Sequence, residues 1–233
     1  METILLVHGA LGDGEQLAPL ARLLEDAFAV HMIELEGHGS TPMSADAYDL
    51  ARFRTNVRDA MKARGVEHAT IFGYSMGGYV ALTLAEESPE IVTRVITLAT
   101  KLAWTPESAA RETGRLDPEI MRHKVPKFAE ALERRHAGAG GWERVLSRTA
   151  ALMTELGARP PLDAFLRASI ACPVLLMVGD RDNVVSIDET VAATRDFAHG
   201  ELAVIPEAHH PFEQVPVPLV AALVRDFMTR THA

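Results

Sequence analysis

The sequence predicts an α/β fold built on a mainly parallel sheet of about six strands flanked by helices. Short apolar runs rich in Val, Ile and Leu recur along the 233 residues. They alternate with stretches of helical periodicity, and each run ends in a glycine-bearing or polar turn. That alternation is the signature of strands joined by helical crossovers in a parallel sheet. At 48% hydrophobic residues the chain can bury one good core, and its length allows one or two domains.

The first strand is expected at 2–7, ending in His8-Gly9-Ala10, where a glycine turn can present a backbone N–H. A helix over 15–26 follows from Leu17, Leu20, Leu23 and Leu24 at helical spacing. The second strand, 29–35, runs into Gly37-His38-Gly39-Ser40, and a helix over 47–64 is closed by Gly65, glycine being favoured just past a helix C-terminus. Ala69-Thr70-Ile71-Phe72 opens the third strand, 69–73. The helix after it, 76–87, carries Val80, Ala81, Leu84 and Ala85 on a core face. Further strands are expected at 94–99, 173–178 and 201–205, and helices at 187–197 and 215–230.

Residues 100–165 exceed what a plain crossover needs, which is a dozen or so residues. They are expected to form a helical cap inserted into a core domain of 1–99 and 166–233. Val125, Phe128, Ala129 and Leu132 make one amphipathic segment, and Trp142, Val145, Leu146 and Leu152 another. Gly138-Ala139-Gly140-Gly141 breaks the chain between them, either as a passive turn or as a point where the cap opens.

Composition narrows the function. Lys and Arg number 23 against 32 Asp and Glu, a formal charge of −9. That balance, with no basic stripe, disfavours binding to a nucleic-acid backbone. The single cysteine, Cys172, excludes an intramolecular disulfide and reads as a small core residue. The N-terminal apolar run is too short for a signal-peptide core or a membrane span, so a cytoplasmic location without membrane association is the expectation. The ten histidines lack carboxylate or cysteine companions at ligand spacing, and no dinucleotide fingerprint or P-loop is present, so neither metal nor cofactor is expected.

The chemistry gathers at the strand ends. Gly73-Tyr74-Ser75-Met76-Gly77 lies between a strand and a helix. A serine on so sharp a turn is pushed out at the strand's C-terminal end, and the helix N-terminus behind it favours developing negative charge. The blander role for such a serine is a helix cap. A carboxylate in Gly179-Asp180-Arg181-Asp182 and a histidine in Ala208-His209-His210 follow two later strands, giving Ser75, Asp182 and His210 in a chain order known for nucleophile triads.

Together with His8-Gly9-Ala10 and Gly37-His38-Gly39-Ser40, these segments resemble the α/β-hydrolase fold superfamily over nearly the whole chain, and within it the serine-nucleophile esterases and lipases. Because the first expected strand begins at residue 2, the sheet is expected to lack the family's usual extra N-terminal strands. The resemblance implies Ser75 as nucleophile, His210 as base and Asp182 as its orienting acid. Gly-x-x-Asp-x-x-Val spacing at Gly179, Asp182 and Val185 favours Asp182 over Asp180, and His209 falls where the family has glycine, though a shift of one would exchange the two histidines. It also implies an oxyanion hole from the backbone N–H groups of Ala10 and Met76, with His8 bracing its turn and His38 outside the triad. A histidine base ordinarily titrates at about pH 6.5, so activity is expected to rise with pH around neutrality.

A serine nucleophile disfavours the family's dehalogenases and epoxide hydrolases, which use aspartate. Leu11, Tyr74, Leu102, Trp104 and Phe128 are expected to contact an uncharged, ester-like small-molecule substrate. A carboxylesterase is the first choice, followed by a carbon–carbon or lactone hydrolase. The menaquinone-pathway lyases, which resemble the chain at His8–Gly12 and Gly73–Gly78, rank lower because Tyr79 stands where they carry arginine. A triad-retaining ligand receptor is the reading from another class. Oligomeric state has no signal.

Overall fold

The computed structural model describes residues 1–43 and 48–230. Six strands form one all-parallel sheet: β1 (Thr3–Val7), β2 (Ala29–Ile33), β3 (Ala69–Tyr74), β4 (Val92–Leu98), β5 (Val174–Gly179) and β6 (Gly200–Ile205). Their order is β2-β1-β3-β4-β5-β6, every neighbouring pair being parallel. The order reverses between β1 and β3, and in open α/β sheets the crevice outside the strands' carboxyl ends at such a point is where ligands bind.

The helices are α1 (Ala18–Arg22), α2 (Leu50–Ala63), α3 (Met76–Glu87), α4 (Pro106–Thr113), α5 (Pro118–Lys124), α6 (Pro126–Arg135), α7 (Trp142–Ala158), α8 (Ala164–Ser169), α9 (Ile187–Thr194) and α10 (Val217–Thr229). One core layer joins α2 and α3 to the sheet through Phe53, Val57, Val80 and Leu84. The other joins α1 and α10 to the opposite face through Leu20, Leu24, Val224 and Phe227. In α3 every residue from Gly77 to Ala85 is buried, which suits a helix covered by both the sheet and the insertion. No helix among the described residues is long and apolar enough to cross a membrane.

Several expectations are revised. The helix expected over 15–26 is a 3-10 turn at Gly14–Leu17 followed by the five residues of α1. Leu23 and Leu24 already bond back three residues, to Leu20 and Ala21, so the chain tightens and stops. The helix expected from residue 47 begins at Leu50, capped by Asp49, whose side chain accepts from Arg52 N–H; residue 47 itself lies outside the described residues. Gly65 does end α2, with φ 65°.

Between β4 and β5 the chain forms five helices, α4 to α8. The expected amphipathic segment at 125–132 straddles the break between α5 and α6, and Val125 and Phe128 are exposed while Ala129 and Leu132 are buried. Val125 adopts φ −136° and ψ 57°, off the helical region, as a residue before proline tends to. The α7 expectation fares better, with Trp142, Val145, Leu146 and Leu152 all buried. Position 165, where the cap was expected to end, falls inside α8. Leu152, Leu156 and Leu162 join the sheet's own core layer, so the insertion is not a detached lid. Gly138 lies between α6 and α7 because a Cβ there would stand 2.9 Å from Ser40 Cα, a close approach to the 37–41 turn.

Candidate active site

Ser75 follows β3 directly and has φ 51° and ψ −114°, a backbone conformation unfavourable for any residue with a Cβ. Its N–H bonds to Leu98 O at 2.8 Å, anchoring the turn to β4. The neighbouring glycines let the elbow close. A Cβ on Gly73 would lie 2.3 Å from Gly78 N, and one on Gly77 would lie 2.2 Å from Val7 O. The Ser75 side chain makes no helix-capping bond.

The Ser75 Oγ lies 3.3 Å from His210 Nε2. On the far side of the ring, Nδ1 stands 2.9 Å and 3.1 Å from the two oxygens of Asp182. The Asp182 side chain is fully buried, and its Oδ1 also accepts the N–H groups of Val184 and Val185 at 2.8 Å and 2.9 Å. Burial alone would raise its pKa. The hydrogen bond and charge of His210, with those two N–H groups, outweigh burial and hold the carboxyl below its ordinary value. An ionised Asp182 fixes the proton on Nδ1 and leaves Nε2 as acceptor for the serine hydroxyl.

The loops carrying Asp182 and His210 are tied together. Asp180 N–H bonds to Ile205 O and Arg181 N–H to Ala208 O, and Gly179 has no room for a Cβ, which would lie 2.1 Å from Ala208 O. The two competing residues, His209 and Asp180, are both exposed, and the Ser75 hydroxyl pairs with His210 instead.

Ala10 and Met76 line the same cavity as Ser75. Met76 opens α3, where first-turn N–H groups have no intrahelical acceptor. No backbone carbonyl among the described residues takes up the Ala10 N–H. Gly9 permits the approach, since a Cβ there would stand 3.2 Å from Ser75 Cβ. His8 is fully buried, and its tautomer is fixed: Nδ1 donates to Gly9 O and Nε2 accepts Leu35 N–H. His38 bonds Glu36 O and the Tyr48 hydroxyl and makes no hydrogen bond to Ser75, Asp182 or His210.

The cavity has a volume of about 40 Å³. Besides Ala10, Ser75 and Met76 its walls are Leu50, Tyr79, Lys101, Trp104, Thr149, Leu152, Met153 and Leu156. Of the substrate contacts expected from sequence only Trp104 is among them. Leu11 packs against the α5–α7 cluster instead, and Leu102 is buried in the main core. Phe128 is exposed on α6. Tyr74 is buried beneath the His210 loop, where its hydroxyl donates to His210 O at 2.6 Å. Lys101 was legible in principle, as a cation at the same sheet edge as Ser75, just after β4. The α7 contribution had no local signal. Among the described residues no group of three or more His, Cys, Asp or Glu side chains is placed to hold a metal ion.

A parallel sheet with a serine elbow at its switch point and a histidine and a carboxylate on the adjoining strand ends defines a class of hydrolase scaffold. Residues 2–140 match the alpha/beta hydrolase fold family, and the chain belongs to it. Relatives along almost the full length include the pimeloyl-(acyl-carrier protein) methyl ester esterases of Nitrosospira multiformis, 28% identical over 95% of this chain and 93% of that protein, and of Chromobacterium violaceum, 27% identical over 97% and 94%. Among solved structures, a thermophilic esterase from Thermogutta terrifontis shares the fold with a TM-score of 0.80 at 22% identity, over 100% of this chain and 91% of that one.

Proposed function

We propose that this protein is a serine carboxylesterase acting on small to medium uncharged acyl esters through an acyl-enzyme. The observation that carries the reading is the continuous relay from Ser75 Oγ through His210 to buried Asp182. His210 Nε2 takes the serine proton as Oγ attacks the ester carbonyl, and the N–H groups of Ala10 and Met76 receive the developing oxyanion. The imidazolium then protonates the leaving alcohol. Water enters, gives a proton to His210 as its oxygen attacks the acyl carbon, and the imidazolium returns that proton to Ser75 Oγ as the acid leaves. Asp182 stays ionised throughout and stabilises the imidazolium.

The cavity's apolar walls, Leu50, Leu152, Met153 and Leu156, support an uncharged acyl group. Its small volume, on the order of three water-sized occupants, supports a short one. The two full-length relatives named for a methyl ester support a small alcohol as leaving group.

The test is steady-state hydrolysis of p-nitrophenyl esters from acetate to decanoate by wild type and by Ser75→Ala, Asp182→Asn, His210→Ala and His209→Ala. The expected result is multiple turnover with an optimum at the short end, lost by about a thousandfold or more in Ser75→Ala and His210→Ala and kept in His209→Ala. Asp182→Asn is expected to fall by about 10⁴ because an amide favours the wrong ring tautomer. Folded wild type that turns over no ester would overturn the reading in favour of a lyase, a carbon–carbon or lactone hydrolase, or a receptor.

A further inference from the structure

The Gly9–Gly12 turn carries the Ala10 N–H. Gly12 N–H bonds to Gly9 O at 3.1 Å, so Ala10 and Leu11 are the central residues of a tight turn. Leu11 has φ 61°, the left-handed region that the third position of a type II turn requires and that glycine normally supplies. A leucine there needs outside support to stay. The support comes from the insertion: Arg135, the last residue of α6, donates to Leu11 O at 2.8 Å, and His136 Nε2 donates to the same oxygen at 3.1 Å.

Both donors are themselves held. His136 is fully buried, and its Nδ1 accepts Gly39 N–H at 3.1 Å, which fixes the tautomer so that Nε2 carries the proton. The Arg135 guanidinium reaches Asp13 at 3.3 Å, two residues beyond Leu11, and Glu213 at 3.9 Å, three residues beyond His210. The peptide plane between Leu11 and Gly12 is therefore pinned at its N–H by the turn and at its carbonyl by two insertion residues.

We propose that Arg135 and His136 are positioning residues for the oxyanion hole: they hold the Gly9–Gly12 turn in the geometry that aims the Ala10 N–H at the reacting carbonyl. The insertion thus completes the catalytic machinery as well as covering it, and a displaced α6 leaves Ser75 with a misaligned hole. The proposal rests on the serine-hydrolase reading of Ser75, though not on which ester is cleaved.

The decisive measurement is the second-order rate at which a fluorophosphonate probe labels Ser75, followed together with hydrogen exchange over residues 8–13. Phosphonylation draws on the same hole whatever the natural substrate. The variants are Arg135→Gln, Arg135→Lys and His136→Asn, the last chosen because an amide oxygen can still accept Gly39 N–H while the donor to Leu11 is lost. Thermal melting checks that each is folded.

The expected result is labelling slowed by at least tenfold in Arg135→Gln and His136→Asn, faster exchange confined to residues 8–13, and partial recovery in Arg135→Lys. Where an ester is turned over, kcat falls and KM changes little. Folded variants that label at the wild-type rate, or that slow without any change in exchange at 8–13, overturn the proposal. Wild type that labels but hydrolyses no ester overturns the esterase reading alone, whereas wild type that does not label at all overturns both.

Discussion

The Tyr74 hydroxyl donates to the backbone carbonyl of His210 at 2.6 Å, so the residue before the serine holds the loop that carries the histidine. The two rings lie 5.9 Å apart, and Phe212 packs edge-on against Tyr74. Burial pushes the phenol's pKa well above its ordinary value, so it remains a donor. The contact explains how loops 135 residues apart in sequence keep Ser75 Oγ within reach of His210 Nε2.

Tyr74→Phe removes that donor and leaves a carbonyl short of a partner while preserving the ring. Such a loss costs about 1–3 kcal/mol. We expect destabilisation of that order in urea unfolding, with a several-fold fall in kcat at little-changed KM because the imidazole is less well aimed. An unchanged kcat in the folded variant means that the Asp182 contacts alone position His210.

The contrast between Ser75 and Phe128 shows what the sequence could carry. The tight turn at Ser75 is made by five adjacent residues, and it needs glycine at the positions where a Cβ would strike Gly78 N or Val7 O, so its signature is local. The strand ends bearing Asp182 and His210 are equally local, and parallel order places them on one edge. Phe128 was judged from helical periodicity, which reports that a face is apolar without reporting what meets it. In α6 the face that is covered is that of Ala129 and Leu132. The bonds from Arg135 and His136 to Leu11 join residues more than a hundred apart, and the cavity wall from α7 stands more than seventy residues beyond Ser75. No pattern within either segment encodes them.

Stability should fall as the solution is acidified from about pH 6.5. Burial lowers the His8 pKa to about 4. Burial, then the neighbouring His8 and His136, puts His38 well below its ordinary value, and burial also lowers His136. The unfolded chain binds protons at these sites near pH 6.5 while the folded chain does not, so the unfolded state gains on acidification. Their contribution is complete above pH 6.5, and the His8 part is lost progressively down to about pH 4. A shift of that size is worth about 3 kcal/mol for His8 alone. Asp182, with its lowered pKa, adds a loss in the same direction at lower pH still. Urea unfolding at pH 7.5, 6 and 5 checks this, and a flat profile across those values contradicts it.

Lys101 forms a buried ion pair at the cavity wall. Its Nζ lies 3.2 Å and 3.4 Å from the Glu189 oxygens and 3.3 Å from Val184 O, the carbonyl of a residue whose N–H holds Asp182. Glu189 also completes a capping box with Ser186 at the start of α9. Removing the cation alone in Lys101→Met strands a carboxylate whose side chain is only 12% exposed, a change that costs about 3–5 kcal/mol for a buried pair. Adding Glu189→Gln neutralises the stranded group and keeps a side chain that can still serve the capping box. The double variant should therefore recover most of the loss while the single one does not. Equal stabilities for single and double variants would mean that Lys101 acts by filling space beside Trp104, with its charge contributing nothing to the fold.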